Sequence, residues 1–226
     1  MICRESWFNA SNVLLCNYDT IESELISSGP RTGDVVVHVN ADSSFSNRIL
    51  RWLPSPIPET IVSLLETPGT IKFHEYDDDH RVLHVSQPDF SAIESPLTLR
   101  NTLAKFYKNV LLAFYKINGL ENGATLRFSP LLPSSSEYDG DVAHMNALAL
   151  CRAIRGLSRR QLLPLEMKIR CLSMHVPDAD FLLFGKAWAK KWPDVSSEIL
   201  MFYFRYKKLI ILIPCSFQTE KITSSV

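Results

Sequence analysis

Glycine is scarce. The chain has 226 residues and only 8 are glycine, so few positions let backbone amides close around a phosphate. There is no P-loop, no G-x-G-x-x-G, no H-E-x-x-H and no G-x-S-x-G. Those absences remove the best-marked nucleotide, zinc-protease and hydrolase readings. The five cysteines are odd in number and no two stand at C-x-x-C spacing. A disulfide framework is therefore not expected in a chain able to build a real core. Cys16, Cys151 and Cys171 lie in apolar segments and read as small core residues. The six histidines show no metal-ligand spacing, and neither a metal nor a cofactor is expected. Net charge is zero, so bulk charge points to neither nucleic acid nor a membrane surface.

What is present is core-forming material. The chain is 46% hydrophobic and 21% charged, which excludes a disordered or low-complexity architecture. One domain over residues 1–195 with an apolar tail over 196–226 is the natural division. The tail contains Ile199–Ile213, which is apolar except for Arg205, Lys207 and Lys208. Three charges in about 15 residues, against the roughly 20 a spanning helix needs, argue against a transmembrane segment. The run reads as a surface that packs on the domain or on a protein partner. The N-terminal stretch MICRESWFNASN has no apolar run suited to a signal peptide. A reducing intracellular location, cytoplasmic or nuclear, is the expectation.

Charge is unevenly spread. Residues 1–96 carry 14 acidic and 6 basic side chains, and residues 97–226 carry 10 and 18. Arg152, Arg155, Arg159, Arg160, Lys168 and Arg170 read either as charges at helix ends or as a weak polyanion surface. No nucleic-acid partner is expected.

Periodicity supplies the elements. Asn12–Cys16 and Asp34–Val39 are short β-branched runs without clean alternation, as suits strands covered on both faces. A short helix is expected over Ser44–Leu53, and another from Pro58, as its first residue, to Glu66. Thr70–His74 and Arg81–Ser86 read as strands joined by an Asp77-Asp78-Asp79 hairpin loop. Leu99, Leu103, Phe106, Val110, Phe114 and Ile117 form one helical stripe, opened by Ser95 and Pro96 and stopped by Gly119. Ala124–Pro130 is a strand. Asp141 can cap a helix to Arg155 with Ala143, Ala147, Leu150 and Ile154 buried. Lys168–Val176 is a strand, and Asp178 opens a last helix to about Lys191. The alternation of strand and helix predicts crossover units around a mixed sheet.

In an open α/β sheet, ligands bind at the carboxyl ends of strands. Two loops leave strands at that edge: Asn40-Ala41-Asp42-Ser43-Ser44, and Pro133-Ser134-Ser135-Ser136-Glu137-Tyr138-Asp139-Gly140. Small polar residues ahead of a helix can hold an anion; equally, both loops can simply turn the chain and cap helices. The strand histidines His38 and His84 read as satisfied core residues rather than catalysts.

Five stretches, in order, resemble the macro domain family, the ADP-ribose-binding α/β/α modules. Asn17-Tyr18-Asp19-Thr20-Ile21 is similar to the family's G-D-I-T segment, and VVVHVNA (Val35–Ala41) to its strand ending in V-N-A. VLHVSQPDF (Val82–Phe90) is similar to V-I-H-x-V-G-P, and RFSPLLPSSSEYDG (Arg127–Gly140) to the strand and S-S-G-I-F-G loop. Met167–Trp188 has the family's V-x-D-x-x-x-F ending. The resemblance covers most of residues 12–190 and implies a three-layer α/β/α fold with a mixed central sheet. It implies that Asp19 holds the adenine amino group, that Asn40 lies beside the distal ribose, and that Ser134, Ser135, Ser136 and Tyr138 line the diphosphate and that ribose, with Ala41, Asp42 and Glu137 among the ligand-binding residues. The family's glycine stretch after N-A-A-N is replaced by Asp42-Ser43-Ser44. The implied function is binding of ADP-ribose or a related nucleotide. An interaction protein that keeps the fold without the ligand is the first alternative. An ADP-ribosyl hydrolase, with Asp42 positioning a water, is the second, and catalytic residues are otherwise unassigned.

Overall fold

The run VVVHVN is β-branched at four of its six positions and forms strand β1, Val35–Asn40, buried along its length up to the exposed Asn40. The computed structural model describes residues 34–41, 44–90, 93, 95–120, 124–132, 141–174, 183, 184 and 187. After β1 come helices α1 (Ser44–Trp52) and α2 (Glu59–Leu65), then strands β2 (Ile71–Glu75) and β3 (Arg81–Ser86). Helix α3 (Pro96–Lys116), β4 (Ala124–Phe128), α4 (Val142–Arg155), α5 (Arg159–Lys168) and β5 (Ile169–Met174) follow. The expected strand Asn12–Cys16 and the tail 196–226 lie outside the described residues.

The described strands form one sheet in the order β2-β3-β1-β4-β5. β1 is parallel to β3 and β4, and β4 is parallel to β5. Among the described strands only the β2–β3 hairpin is antiparallel, with Ile71 opposite Val85 and Glu75 opposite Arg81. Its loop is set by the Asp77 carboxylate, which accepts from the amides of Asp79 (2.9 Å) and His80 (2.8 Å). The acidic triplet is a turn, as its composition predicts.

Alternation sorts the strand residues. Val35, Val37, Val39, Leu83, Val85 and Leu126 join the main core with α3 and α4. Val36 points the other way and packs with Ile49 of α1. The five stripe residues within α3 are buried, Leu103 and Phe114 completely, and so is the sixth, Ile117, at the C-cap position just past its end. Ser95 stands at the N-cap position without a side-chain cap bond, and Pro96 opens the helix. Beyond the helix Gly119 takes φ +79°, the left-handed turn that favours glycine. On α4 the small residues Ala143, Ala147, Ala149 and Ala153 are buried and let α3 approach closely. Asp141 caps α4, accepting from the His144 amide at 2.8 Å.

Three expectations need correction. Pro58 is the N-cap of α2 rather than its first residue; its carbonyl accepts from Ile61 (2.8 Å) and Val62 (3.0 Å). Helix α5 was not expected, because Pro164 lies inside it and proline lacks the amide a helix interior uses. Its start is nonetheless marked by Ser158-x-x-Gln161: the Gln161 side-chain oxygen accepts from the Ser158 amide at 3.0 Å, half of a capping box. For the same reason Lys168 is helical, and β5 starts at Ile169. The Lys168 ammonium donates to the carbonyls of Tyr115 (2.8 Å) and Ile117 at the end of α3. Arg152 and Arg155 close the last turn of α4, so these charges complement helix dipoles.

Among the described residues no helix is long and apolar enough to cross a membrane. The depth of the α3 stripe gives a direct test. Phe114→Ala should lower the unfolding free energy by about 3–5 kcal/mol. In a urea titration the midpoint should fall while the slope stays constant.

Candidate functional site

All the parallel strands end at the same edge of the sheet, and α1, α3 and α4 begin there because each follows a parallel strand. Helix starts carry unpaired amides and a partial positive charge. At the end of β1 the Ala41 amide donates back to the Val39 carbonyl at 2.8 Å. This three-residue turn is centred on Asn40, which is exposed at the carboxyl edge while Ala41 is half-buried.

Beneath that turn runs a buried polar chain. His38 on β1 and His84 on β3 are register partners, and their Nδ1 atoms lie 3.1 Å apart. His38 Nε2 meets Ser46 Oγ of α1 at 2.9 Å, and His84 Nε2 meets the Tyr76 hydroxyl at 3.1 Å. Two hydrogen orderings satisfy all three contacts. Either Ser46 donates to His38, His38 to His84 and His84 to Tyr76, or every donation is reversed. Both histidines are neutral. Burial pushes His38 down to about 4. Burial first, and then the repulsion a protonated His84 would meet from protonated His38 and His74, pushes His84 down to about 3. The expectation that they are satisfied core residues holds, and the chain adds a role: it pins the first turn of α1 to the sheet. Trp52, at the other end of α1, lies over the His80 ring with centroids 4.5 Å apart.

The exit from β4 is held by a second buried network. The Tyr107 hydroxyl of α3 donates to Asn146 Oδ1 of α4 at 2.7 Å and accepts from the Leu131 amide at 3.1 Å. Asn146 Oδ1 also accepts from the Leu132 amide (3.1 Å), and Asn146 Nδ2 donates to the carbonyls of Leu132 (2.8 Å) and Val142 (2.9 Å). Gln87, just past β3, donates to the Leu131 carbonyl at 3.1 Å. Burial pushes the Tyr107 phenol well above its ordinary range, so it stays a neutral donor. Leu132 and Asp141, the described residues on either side of positions 133–140, are thus each held by hydrogen bonds.

Of the residues expected at the site, Asn40 ends β1 at the carboxyl edge and Ala41 follows it. Asp19, Asp42, Ser134, Ser135, Ser136, Glu137 and Tyr138 lie outside the described residues. Tyr107, Asn146 and Gln87 were not anticipated. Asn146 carried the available signal: an asparagine among buried alanines in a helix interior is disfavoured unless its side chain has work to do. Among the described residues no group of three His, Cys, Asp or Glu side chains could hold a metal.

No protein-family model and no curated protein matches the chain. Solved structures do match. A point mutant of the Oceanobacillus iheyensis macrodomain superposes with a TM-score of 0.54 at 14% identity, over 82% of this chain and 95% of that one. The same macrodomain with MES bound gives 0.52 at 14% identity, over 82% and 95%. With ADP it gives 0.52 at 15%, over 82% and 94%. The chain has a macrodomain-like α/β fold, as the five sequence stretches imply.

Two measurements check the networks. Tyr107→Phe should cost about 1–3 kcal/mol, because it leaves the buried Leu131 amide without its acceptor; a urea titration reads this. The histidine pair gives a pH dependence. Both pKa values are lower folded than the ordinary 6.5, so the unfolded chain binds more protons below that value. Stability from this source is complete above about pH 6.5 and is lost as pH falls toward about 4 and 3. The slope between pH 6 and 5 should approach about 1.4 kcal/mol per pH unit for each histidine. His84→Gln should remove about one proton from that slope.

Proposed function

We propose that the chain binds ADP-ribose or a related adenine diphosphate at the carboxyl edge of its sheet. The observation that carries this reading is the exposed Asn40 turn at the edge where α1, α3 and α4 begin, in a fold that a bacterial macrodomain also uses and in which that protein has been seen with ADP. Helix starts that share one edge favour an anion there. In this reading Asp19 accepts from the adenine amino group, Asn40 and Ala41 flank the distal ribose, and the Ser134–Tyr138 loop lies along the diphosphate. The Tyr107–Asn146 network supports it by fixing the chain where that loop departs.

A specific observation favours the interaction-protein alternative. The Asp141 carboxylate already occupies the His144 amide, so one donor that an anion would use at α4 is taken. The two readings separate in one titration. Calorimetry with ADP-ribose should give saturable heat, and Asp19→Ala should weaken binding about ten- to a hundredfold, the size of a lost charge-assisted hydrogen bond. Asn40→Ala should weaken ADP-ribose more than ADP, since only ADP-ribose carries the distal ribose. No heat at millimolar ADP-ribose would leave the interaction reading standing.

A further inference from the structure

Helices α3, α4 and α5 carry four, two and three arginines and lysines but one acid, Glu166. The neutral whole-chain balance hides this, because residues 1–96 hold 14 of the 24 acidic side chains. Two hydrogen bonds bring the cations onto one surface. Lys108 Nζ donates to the Gly156 carbonyl past the end of α4 at 2.6 Å, and Lys168 Nζ to the Tyr115 carbonyl at 2.8 Å. Gly156 stands three residues before Arg159, so α5 starts near Lys108 and ends near Tyr115. The lengths agree: about 10.5 Å along α3 from Lys108 to Tyr115, and about 13.5 Å along α5 from Arg159 to Lys168. α5 therefore lies beside the last turns of α3 and runs in the same direction. At one end of this strip Arg152, Arg155, Arg159 and Arg160 are exposed; at the other, Tyr115 and Lys116. The strip is at the opposite end of α3 and α4 from the Asn40 turn.

Helix dipoles account for part of this charge. Arg152, Arg155 and Lys116 stand in last turns, where the dipole favours a cation. Arg159 and Arg160 do not. They open α5, whose first turn holds no acid, and a helix start carries about half an elementary positive charge that repels them. Folding alone disfavours two arginines at that place. An anionic partner reverses the sign, because the arginines and the dipole then act on it together.

The exposed side chains say which polyanion fits. Binding in a membrane surface needs apolar side chains to insert. Among the described side chains, no exposed large apolar residue other than Tyr115 lies on α5 or on the last turns of α3 and α4. Tyr115 suits a base instead. An aromatic ring beside cations is how proteins hold a single strand, the ring stacking on a base while the cations meet the phosphates, and arginine is the stronger phosphate partner. We infer that the α3–α5 surface binds single-stranded nucleic acid, with Arg152, Arg159 and Arg160 on the phosphates and Tyr115 on a base. This surface is separate from the candidate nucleotide edge and does not depend on that reading.

The test is fluorescence anisotropy of a labelled oligothymidylate of about 15 nucleotides, long enough for a site of this class, with the full chain at several salt concentrations. Affinity should fall with salt at a log–log slope of about −2, the value for three phosphates of a single strand. Arg159→Glu combined with Arg160→Glu should weaken binding at least about tenfold at low salt and flatten the slope by about 1.4. Its urea midpoint should hold or rise, because acids suit a helix start; if it does not fold, Arg159→Gln with Arg160→Gln carries the comparison. Tyr115→Ala should weaken binding about five- to a hundredfold, the size of one lost stack, without changing the slope, and Tyr115→Phe should keep it. No binding at low salt overturns the inference and leaves the proposed function standing. Binding that the double variant does not weaken overturns the assignment to this surface. So does displacement of the strand by saturating ADP-ribose, which would put it at the carboxyl edge. Tighter binding to a duplex, or to phosphatidylserine vesicles, than to the single strand overturns the choice of partner.

Discussion

One hydrogen bond, from the Tyr107 hydroxyl to the Asn146 carboxamide at 2.7 Å, sets the relation between three parts of this fold. It joins α3 to α4 inside an otherwise apolar layer. Because both side chains also hold backbone of Leu131 and Leu132, the chain leaving β4 is fixed to both helices at once. A buried polar group without partners destabilises a fold, whereas a fully satisfied network specifies one arrangement of its elements. Sliding α3 against α4 by a turn would preserve most alanine and leucine contacts. It would also strand a phenol, a carboxamide and two backbone amides. The network therefore fixes which of several similar helix packings is adopted, and with it the position of Leu131 and Leu132.

The two faces of the sheet are held by different physics. Toward α3 and α4 the contacts are apolar and extensive, and the hydrophobic effect dominates. Toward α1 the strands present Val36, His38, His84 and the Asp34–Arg127 pair. That second face carries polar side chains yet is buried at its centre, and its histidines remain there because they satisfy one another. α1 is short, and it is held by Ser46 at one end, by Ile49 against Val36 in its middle and by Trp52 at the other end. Elements with few apolar contacts open at lower free energy than a core, so α1, which borders the Asn40 turn, is the part of the edge best placed to adjust to a ligand.

Much of this was legible because periodicity and β-branching are local signals. The α3 stripe, the β3 boundaries, the Asp141 cap and the aspartate turn all follow from residues within a few positions of each other. Helix α5 was hidden by Pro164, which outweighs a correct Ser158–Gln161 start signal when only propensity is considered. The Tyr107–Asn146 and His38–His84 networks were hidden for another reason. Their partners are 39 and 46 residues apart, and nothing local says that two polar residues on separate elements will meet. The family resemblance carried the topology, and hence the edge at which Asn40 sits, but not the side chains that hold that edge.

The histidine pair also fixes strand register. His38 lies opposite His84, and Val37 and Val39 lie opposite Leu83 and Val85. Shifting a strand by one residue turns each side chain to the other face. For β1 that would drive His38 toward α3 and α4, where the side chains are apolar apart from the Tyr107–Asn146 network, whose groups already bond one another and the Leu131 and Leu132 backbone, and would bring valines to Ser46. The apolar residues alone discriminate weakly, since Val35, Val36 and Val37 are interchangeable in size. A single polar residue in a β-branched run is thus what makes the register unique. Register in turn decides that Asn40, rather than Val39 or Ala41, forms the centre of the exposed turn. The polar chain beneath α1 and the candidate ligand edge are consequences of the same choice of residue at position 38.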